Sequence, residues 1–315
     1  MNAPFWTLCR QDLRRSGLER PKAARVVRLE AMTARTEMPR AEEEAIQRAL
    51  EGQAAYMPDV RADVGPAEED WTTVQDFFSS EAATGEFLAF EQSLNKGTDL
   101  KTAGALMMTD YGYILAAAAV PLFAGFGIIP ELSPASLALS FYVTEELHDG
   151  KMHRVRRAHV RFLEPVFWQG QLDDAAAGER FRTEIEQHFH PVIDTIHAQT
   201  RLSRAALWRL AADAIASRFL DSGRRFGTVE AAKAAAMRIL KVAGSPLANR
   251  ELHYFDLMVL DKHRKEFSYT FRQRGGCCRF YLVEGGEYCP TCVLEAPADR
   301  DEKLRLAMRK HLGVA

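Results

Sequence analysis

Gly275-Gly276-Cys277-Cys278-Arg279-Phe280-Tyr281-Leu282-Val283-Glu284-Gly285-Gly286-Glu287-Tyr288-Cys289-Pro290-Thr291-Cys292 gathers four of the chain's five cysteines. The fifth, Cys9, stands far upstream and reads as a bystander. Two thiol pairs this close together suggest four ligands for one soft-metal centre. Common zinc knuckles space each pair by two to four residues, so the adjacent Cys277-Cys278 is the unusual element. A four-thiolate iron–sulfur cluster is the sharper reading of the set. The spacer is short and aromatic, and Gly285-Gly286 is a two-residue hairpin signal. A turn there sets Val283 against Tyr288 and Leu282 against Cys289, which brings both thiol pairs to one end of a ribbon. Pro290 cannot donate to a ladder and favours a knuckle curling away. Gly275 and Gly276 would let the backbone approach a cluster, with their N–H groups free to bond sulfur. Upstream, Glu266 to Phe271 reads as another strand.

This arrangement resembles the ferric siderophore reductases of the FhuF-like family. Their C-terminal signature is Cys-Cys, ten residues, Cys, two residues, Cys. Here Cys277, Cys278, Cys289 and Cys292 match it, with Phe280 and Tyr281 representing the aromatic position after the vicinal pair. The resemblance covers roughly Phe267 to Glu295; elsewhere only the layout is similar. Arg279 departs from the family, which often places an apolar residue there. The resemblance implies a [2Fe-2S] cluster held by the four cysteines and reduction of Fe(III) in imported ferric siderophores, of hydroxamate or citrate type. A structural zinc site remains open from the residues themselves, as do an electron carrier or sensor with the same cluster and a zinc-stabilised binding protein. A thioredoxin-like dithiol at Cys289 and Cys292 lacks its βαβ setting. Disulfides are disfavoured in a chain long enough to bury a large core.

Working outward, the 315 residues are 47% hydrophobic and 27% charged, the composition of an ordinary globular protein of one or two domains. A net charge of −2 argues against nucleic acid as a partner. Met1 to Arg20 mixes charges with aromatics and does not read as a signal peptide, so a cytoplasmic location is expected. From Tyr111 to Pro130 there is no charged residue, which is long enough to span a bilayer. Pro121, Gly125, Gly127 and the run Ala116 to Ala119 favour a buried helix over Leu100 to Phe126. Peripheral attachment to the inner face of the cytoplasmic membrane stays open.

The expected fold is α+β: a mostly helical body with a central β-hairpin or small sheet, and a C-terminal cysteine-rich hairpin holding a cluster. Residues 1–250 form the siderophore-binding body and 251–315 the cluster-binding region. Helices are expected around Arg40 to Leu50, over Trp71 to Leu94, Glu179 to Ala198, Ser203 to Asp221 (capped by Ser203) and Val229 to Val242. Asp59 to Asp70 reads as a loop. Strands are expected over Ser136 to Val143 and Met152 to Leu163, joined at Asp149-Gly150.

Candidate substrate residues are cationic. His153 to Arg161 packs four arginines and two histidines into nine positions, and strand alternation puts Arg157, His159 and Arg161 on one face with His153. Such a face suits an anionic siderophore, or pairs with Glu145 and Glu146 across the hairpin. Arg272, Arg274 and Arg279 flank the cysteines. His188 and His190 read more readily as surface residues than as metal ligands. No GxGxxG after a strand and no Walker loop is present. An external electron donor, a ferredoxin or a flavin reductase, is therefore expected.

Overall fold

The computed structural model describes residues 40–56, 61–148, 151–163 and 166–314. Cys9 and the Asp149-Gly150 turn lie outside them. Among the described residues, eight α-helices and three small sheets follow one another as α1 (Arg40–Tyr56), β1 (Ala62–Val64), β2 (Thr72–Thr73), α2 (Val74–Ser79), α3 (Glu81–Leu94), α4 (Leu100–Phe126), β3 (Ile128–Pro130), β4 (Leu137–His148), β5 (Lys151–Phe162), β6 (Phe167–Gln169), α5 (Ala175–Thr200), α6 (Arg204–Phe226), α7 (Val229–Leu240), β7 (His253–Leu260), β8 (Glu266–Gln273) and α8 (Pro297–Leu312). The class is mixed, with helices dominant.

The uncharged run becomes the axis of the molecule. Asp99 caps α4 by accepting from Thr102 N, and Gly127 ends it in the left-handed region at φ 68°. By length and apolarity α4 would pass for a membrane span, but it is sheathed by protein along its length. Its most extensive contact is with α6, and α1, α3, α5, β3 and β5 pack around the rest. Pro121 has no N–H to offer the Ala117 carbonyl one turn earlier. Gln53 of α1 supplies the missing donor, its Nε2 lying 2.9 Å from that oxygen.

The central sheet has the order β1-β5-β4-β2. β4 and β5 form a long antiparallel ribbon in which Glu145 faces Arg154 and Glu146 faces His153. The stretch expected as a loop contains β1, which pairs parallel to β5 with Asp63 beside Arg161. Ser203 caps α6 by accepting from Ala206 N, as its sequence suggests. His188 is neither exposed nor a ligand. It is fully buried, its Nδ1 is 2.6 Å from the Leu132 carbonyl and its Nε2 is 2.6 Å from the Tyr111 hydroxyl. Burial pushes its pKa down to about 4, so the ring is neutral.

From His253 onward the chain builds a second, small core of Leu257, Val259, Phe271, Leu304 and Met308 between the β7–β8 hairpin and α8. Cys278, by contrast, belongs to the large core.

The expected cysteine-rich ribbon is absent. Residues 274–296 contain no strand, only a 3₁₀ turn at Phe280–Leu282. Its hydrogen bonds are local: Leu282 N donates to Arg279 O, Val283 N to Phe280 O and Gly286 N to Val283 O. Glu284 N leaves the segment for Lys96 O, in the loop before α4. A Cβ at Gly286 would collide with the Phe280 carbonyl, so this glycine lets the chain fold back on its own turn rather than run as a strand.

Candidate metal centre

The anchor of the cysteine segment is Asp213, 1% exposed in the middle of α6. Its carboxylate accepts from Gly275 N at 2.7 Å and Gly276 N at 3.0 Å. It also stands 3.5 Å from both the Arg272 and the Arg274 guanidinium. Those glycine N–H groups are thus committed to Asp213 and do not bond sulfur. The glycines serve packing instead. A Cβ on Gly275 would overlap the Asn249 amide, and one on Gly276 would press on Arg209 of α6.

Beyond the glycines the four thiols meet as two pairs, although no ribbon brings them there. Cys278 and Cys289 have Sγ atoms 3.5 Å apart; Cys277 and Cys292 are near enough to shift one another's titration. Within each pair one thiol is stabilised as thiolate by the other: Cys278 is lowered by Cys289 and Cys292 by Cys277. The other member of each pair is pushed up in return. Backbone donors favour the thiolate form: Arg279 N lies 3.3 Å from Cys277 Sγ, opposing its rise, and Leu294 N lies 3.5 Å from Cys292 Sγ. Arg279 sits at φ 61°, a left-handed conformation rare for a side chain of its size. That turn points its N–H back at Cys277.

The cationic candidates separate by environment. Arg272 and Arg274 are buried, with side chains 9% and 3% exposed. This corrects their assignment as substrate contacts. Arg272 Nη1 donates to the Asp213 carbonyl at 2.5 Å. Arg274 Nη1 donates to Cys289 Sγ at 3.4 Å. Burial opposes the Arg274 charge, but the Cys278 and Cys289 sulfurs and Asp213 outweigh it and hold its pKa up. Arg161 is also spoken for: it grips Asp63 with two nitrogens, reaches Glu68 and the Pro66 carbonyl, and stacks 4.2 Å from Trp71. Its partners fill the donor fork a substrate would need.

Arg157 lies over the Tyr113 ring at 5.2 Å, and His159 packs against Tyr142 and Trp71. Burial, together with Arg61, lowers the His159 pKa. Arg279 is partly exposed and reaches the start of α4, donating to Thr102 Oγ1 at 3.1 Å and pairing with Asp99 at 3.0 Å. It is the one cation of the flanking trio that combines solvent access with a place beside the thiols.

Asp213 escaped the sequence reading. Its signal was available: a lone acid in Leu210-Ala211-Ala212-Asp213-Ala214-Ile215-Ala216, on the face a helix would bury.

The donor set suits a two-iron cluster. Four sulfurs grouped two and two match two irons with two thiolates each, and the buried Arg274 offsets part of their charge.

Residues 274–294 match the family model described as the FhuF 2Fe-2S C-terminal domain. No curated protein matches the chain. The C-terminal segment of this protein is therefore an FhuF-like 2Fe-2S domain, and its cofactor is a [2Fe-2S] cluster.

Proposed function

We propose that the protein reduces the iron of imported ferric siderophores in the cytoplasm. The observation that carries this reading is the four-thiol segment 277–292 inside a domain of the FhuF type. When bound, the cluster supplies a single electron, and one electron converts hard Fe(III), gripped by siderophore oxygens, into Fe(II), which they hold weakly. The chain's own residues do the rest. Cys277, Cys278, Cys289 and Cys292 hold the cluster. Asp213 fixes the loop that presents them, and Arg274 keeps a positive charge against the sulfurs. Arg279 marks the side from which an anionic complex is attracted, with Arg157 on β5 as a second cation and His159, its charge disfavoured by burial and Arg61, as a hydrogen-bonding neighbour. Electrons come from an external donor, and the inner face of the cytoplasmic membrane is a compatible place for the encounter.

A second reading is an electron carrier or sensor without a siderophore site. It is favoured by the burial of Arg272 and Arg274 and by the filled donor fork of Arg161, which shrink the available cationic surface.

Anaerobically purified protein should contain iron and acid-labile sulfide with the visible spectrum of a [2Fe-2S] centre. Cys→Ser at any of the four positions should lose or severely alter that spectrum. After chemical reduction, one turnover with a citrate-type or hydroxamate ferric siderophore should release ferrous ion stoichiometrically to a chelator. Zinc without iron or sulfide would overturn the cluster reading. An intact cluster that releases no ferrous ion from either siderophore would leave the electron carrier.

A further inference from the structure

The thiol knuckle Cys289-Pro290-Thr291-Cys292 borders an open groove of about 590 Å³ against α8. Its apolar floor is made by Tyr288, Leu294 and Leu306, each close to half exposed. Tyr288 adjoins Cys289 in sequence, and Leu294 lies two residues past Cys292. The rim carries Asp299 and Glu302, the latter paired with Arg309 at 3.5 Å, with Glu287 close enough to act on the Lys303 ammonium. Lys303 itself is paired to Glu295. Asp299, in the first turn of α8, also suits the helix dipole. Two of the three exposed apolar neighbours, Tyr288 and Leu294, lie within two residues of a cluster ligand in sequence.

The groove is held to those ligands by buried contacts. Arg300 of α8 stacks 4.0 Å from Phe255 and bonds Gln273, whose Nε2 reaches the Cys292 carbonyl at 3.3 Å. Elsewhere the cysteine segment meets the start of α4 through the Arg279–Asp99 and Lys96–Glu284 pairs, which remain open to solvent.

We infer that this groove is the docking site of the electron-donor protein, and that the donor presents a basic rim around a small apolar contact. The inference rests on the proposed redox function and assigns its electron entry. Electron transfer requires close approach to the centre, and the knuckle side offers the exposed apolar contact there. The acidic rim selects a basic partner and repels an acidic carrier. In each encounter the donor is oxidised by one electron and the centre held by the thiolates gains it, with no bond made or broken.

The test uses the cluster-loaded protein and cytochrome c, a basic redox protein, as probe. Zinc-porphyrin cytochrome c measures binding, and ferricytochrome c measures electron transfer from the chemically reduced protein. The parent should bind the zinc probe with an affinity that falls as salt rises. Asp299→Lys with Glu302→Lys should weaken binding and slow transfer by about tenfold or more, with spectrum and potential unchanged. Asp299→Asn with Glu302→Gln should give a smaller loss in the same direction and guards against damage to α8. Parent protein that does not bind the probe, or charge-reversed protein that binds it equally well, would overturn the inference. Single-turnover siderophore reduction by chemically reduced protein needs no donor, so it reports separately on the function on which this inference depends.

Discussion

Arg274 is the residue at which burial, charge and the cluster meet. Its guanidinium is enclosed, bonded to Cys289 Sγ and balanced only in part, because Asp213 is shared with Arg272. A fixed cation beside the ligands favours the reduced, more negative form of the centre they hold. Arg274→Gln removes the charge at similar length. Its midpoint potential is predicted to fall by about 50–100 mV, whereas Arg274→Lys should retain most of the parent value. A spectroelectrochemical titration decides the matter. An unshifted Gln variant with an intact spectrum would mean that Asp213 already cancels the charge felt by the sulfurs.

At the scale of elements, the cysteine loop is a graft on α6. Gly275 and Gly276 lay the backbone against that helix, and Asn249 closes over them while its Oδ1 accepts from Leu252 N at 2.8 Å. Because Asn249 is tied in place, it cannot simply swing away from a new methyl group. Gly275→Ala is therefore expected to cost about 1–3 kcal/mol and to lower the iron retained per chain. Asn249→Ala also costs stability, but the double variant should lose less than the sum of the two, since removing the amide relieves the overlap. Denaturant unfolding of the four proteins tests this. Simple additivity would place the role of Gly275 elsewhere than in this contact.

Across the whole molecule, the large core encloses a charged cluster. Glu91 of α3 and Asp110 of α4 are buried beside the half-buried Arg156 of β5, which lies against the Phe87, Phe90 and Phe141 rings. Burial first and the Asp110 charge second raise the Glu91 pKa from 4.5 to about 8, with Arg156 opposing. Between those values the folded protein holds a proton that the unfolded chain releases. This contribution to stability is complete below 4.5 and is lost as pH rises through 8. Glu91→Gln imitates the protonated acid and lacks that dependence. The variant's melting temperature should gain on the parent's steadily from about pH 5 to about pH 8. Melting curves that stay parallel over that range would show that Glu91 does not hold the proton.

What the sequence determined by itself was local chemistry. The ligand types and spacing at Cys277, Cys278, Cys289 and Cys292, the long apolar run of α4 with Asp99 and Gly127 at its ends, and the Ser203 cap all act within a few residues of chain. Their physics can be read without knowing what packs where. The hairpin reading of Gly285-Gly286 failed for the complementary reason. A ribbon needs its cross-strand bonds, and here the carbonyls of Arg279, Phe280 and Val283 are taken by tight turns while Glu284 N is drawn to Lys96. Tertiary structure alone decided which arginines face water and which are buried. It also decided that Asp213 would meet Gly275 and Gly276 across 62 and 63 positions of chain. A charge's role depends on the groups folded against it, and those come from helices distant in sequence.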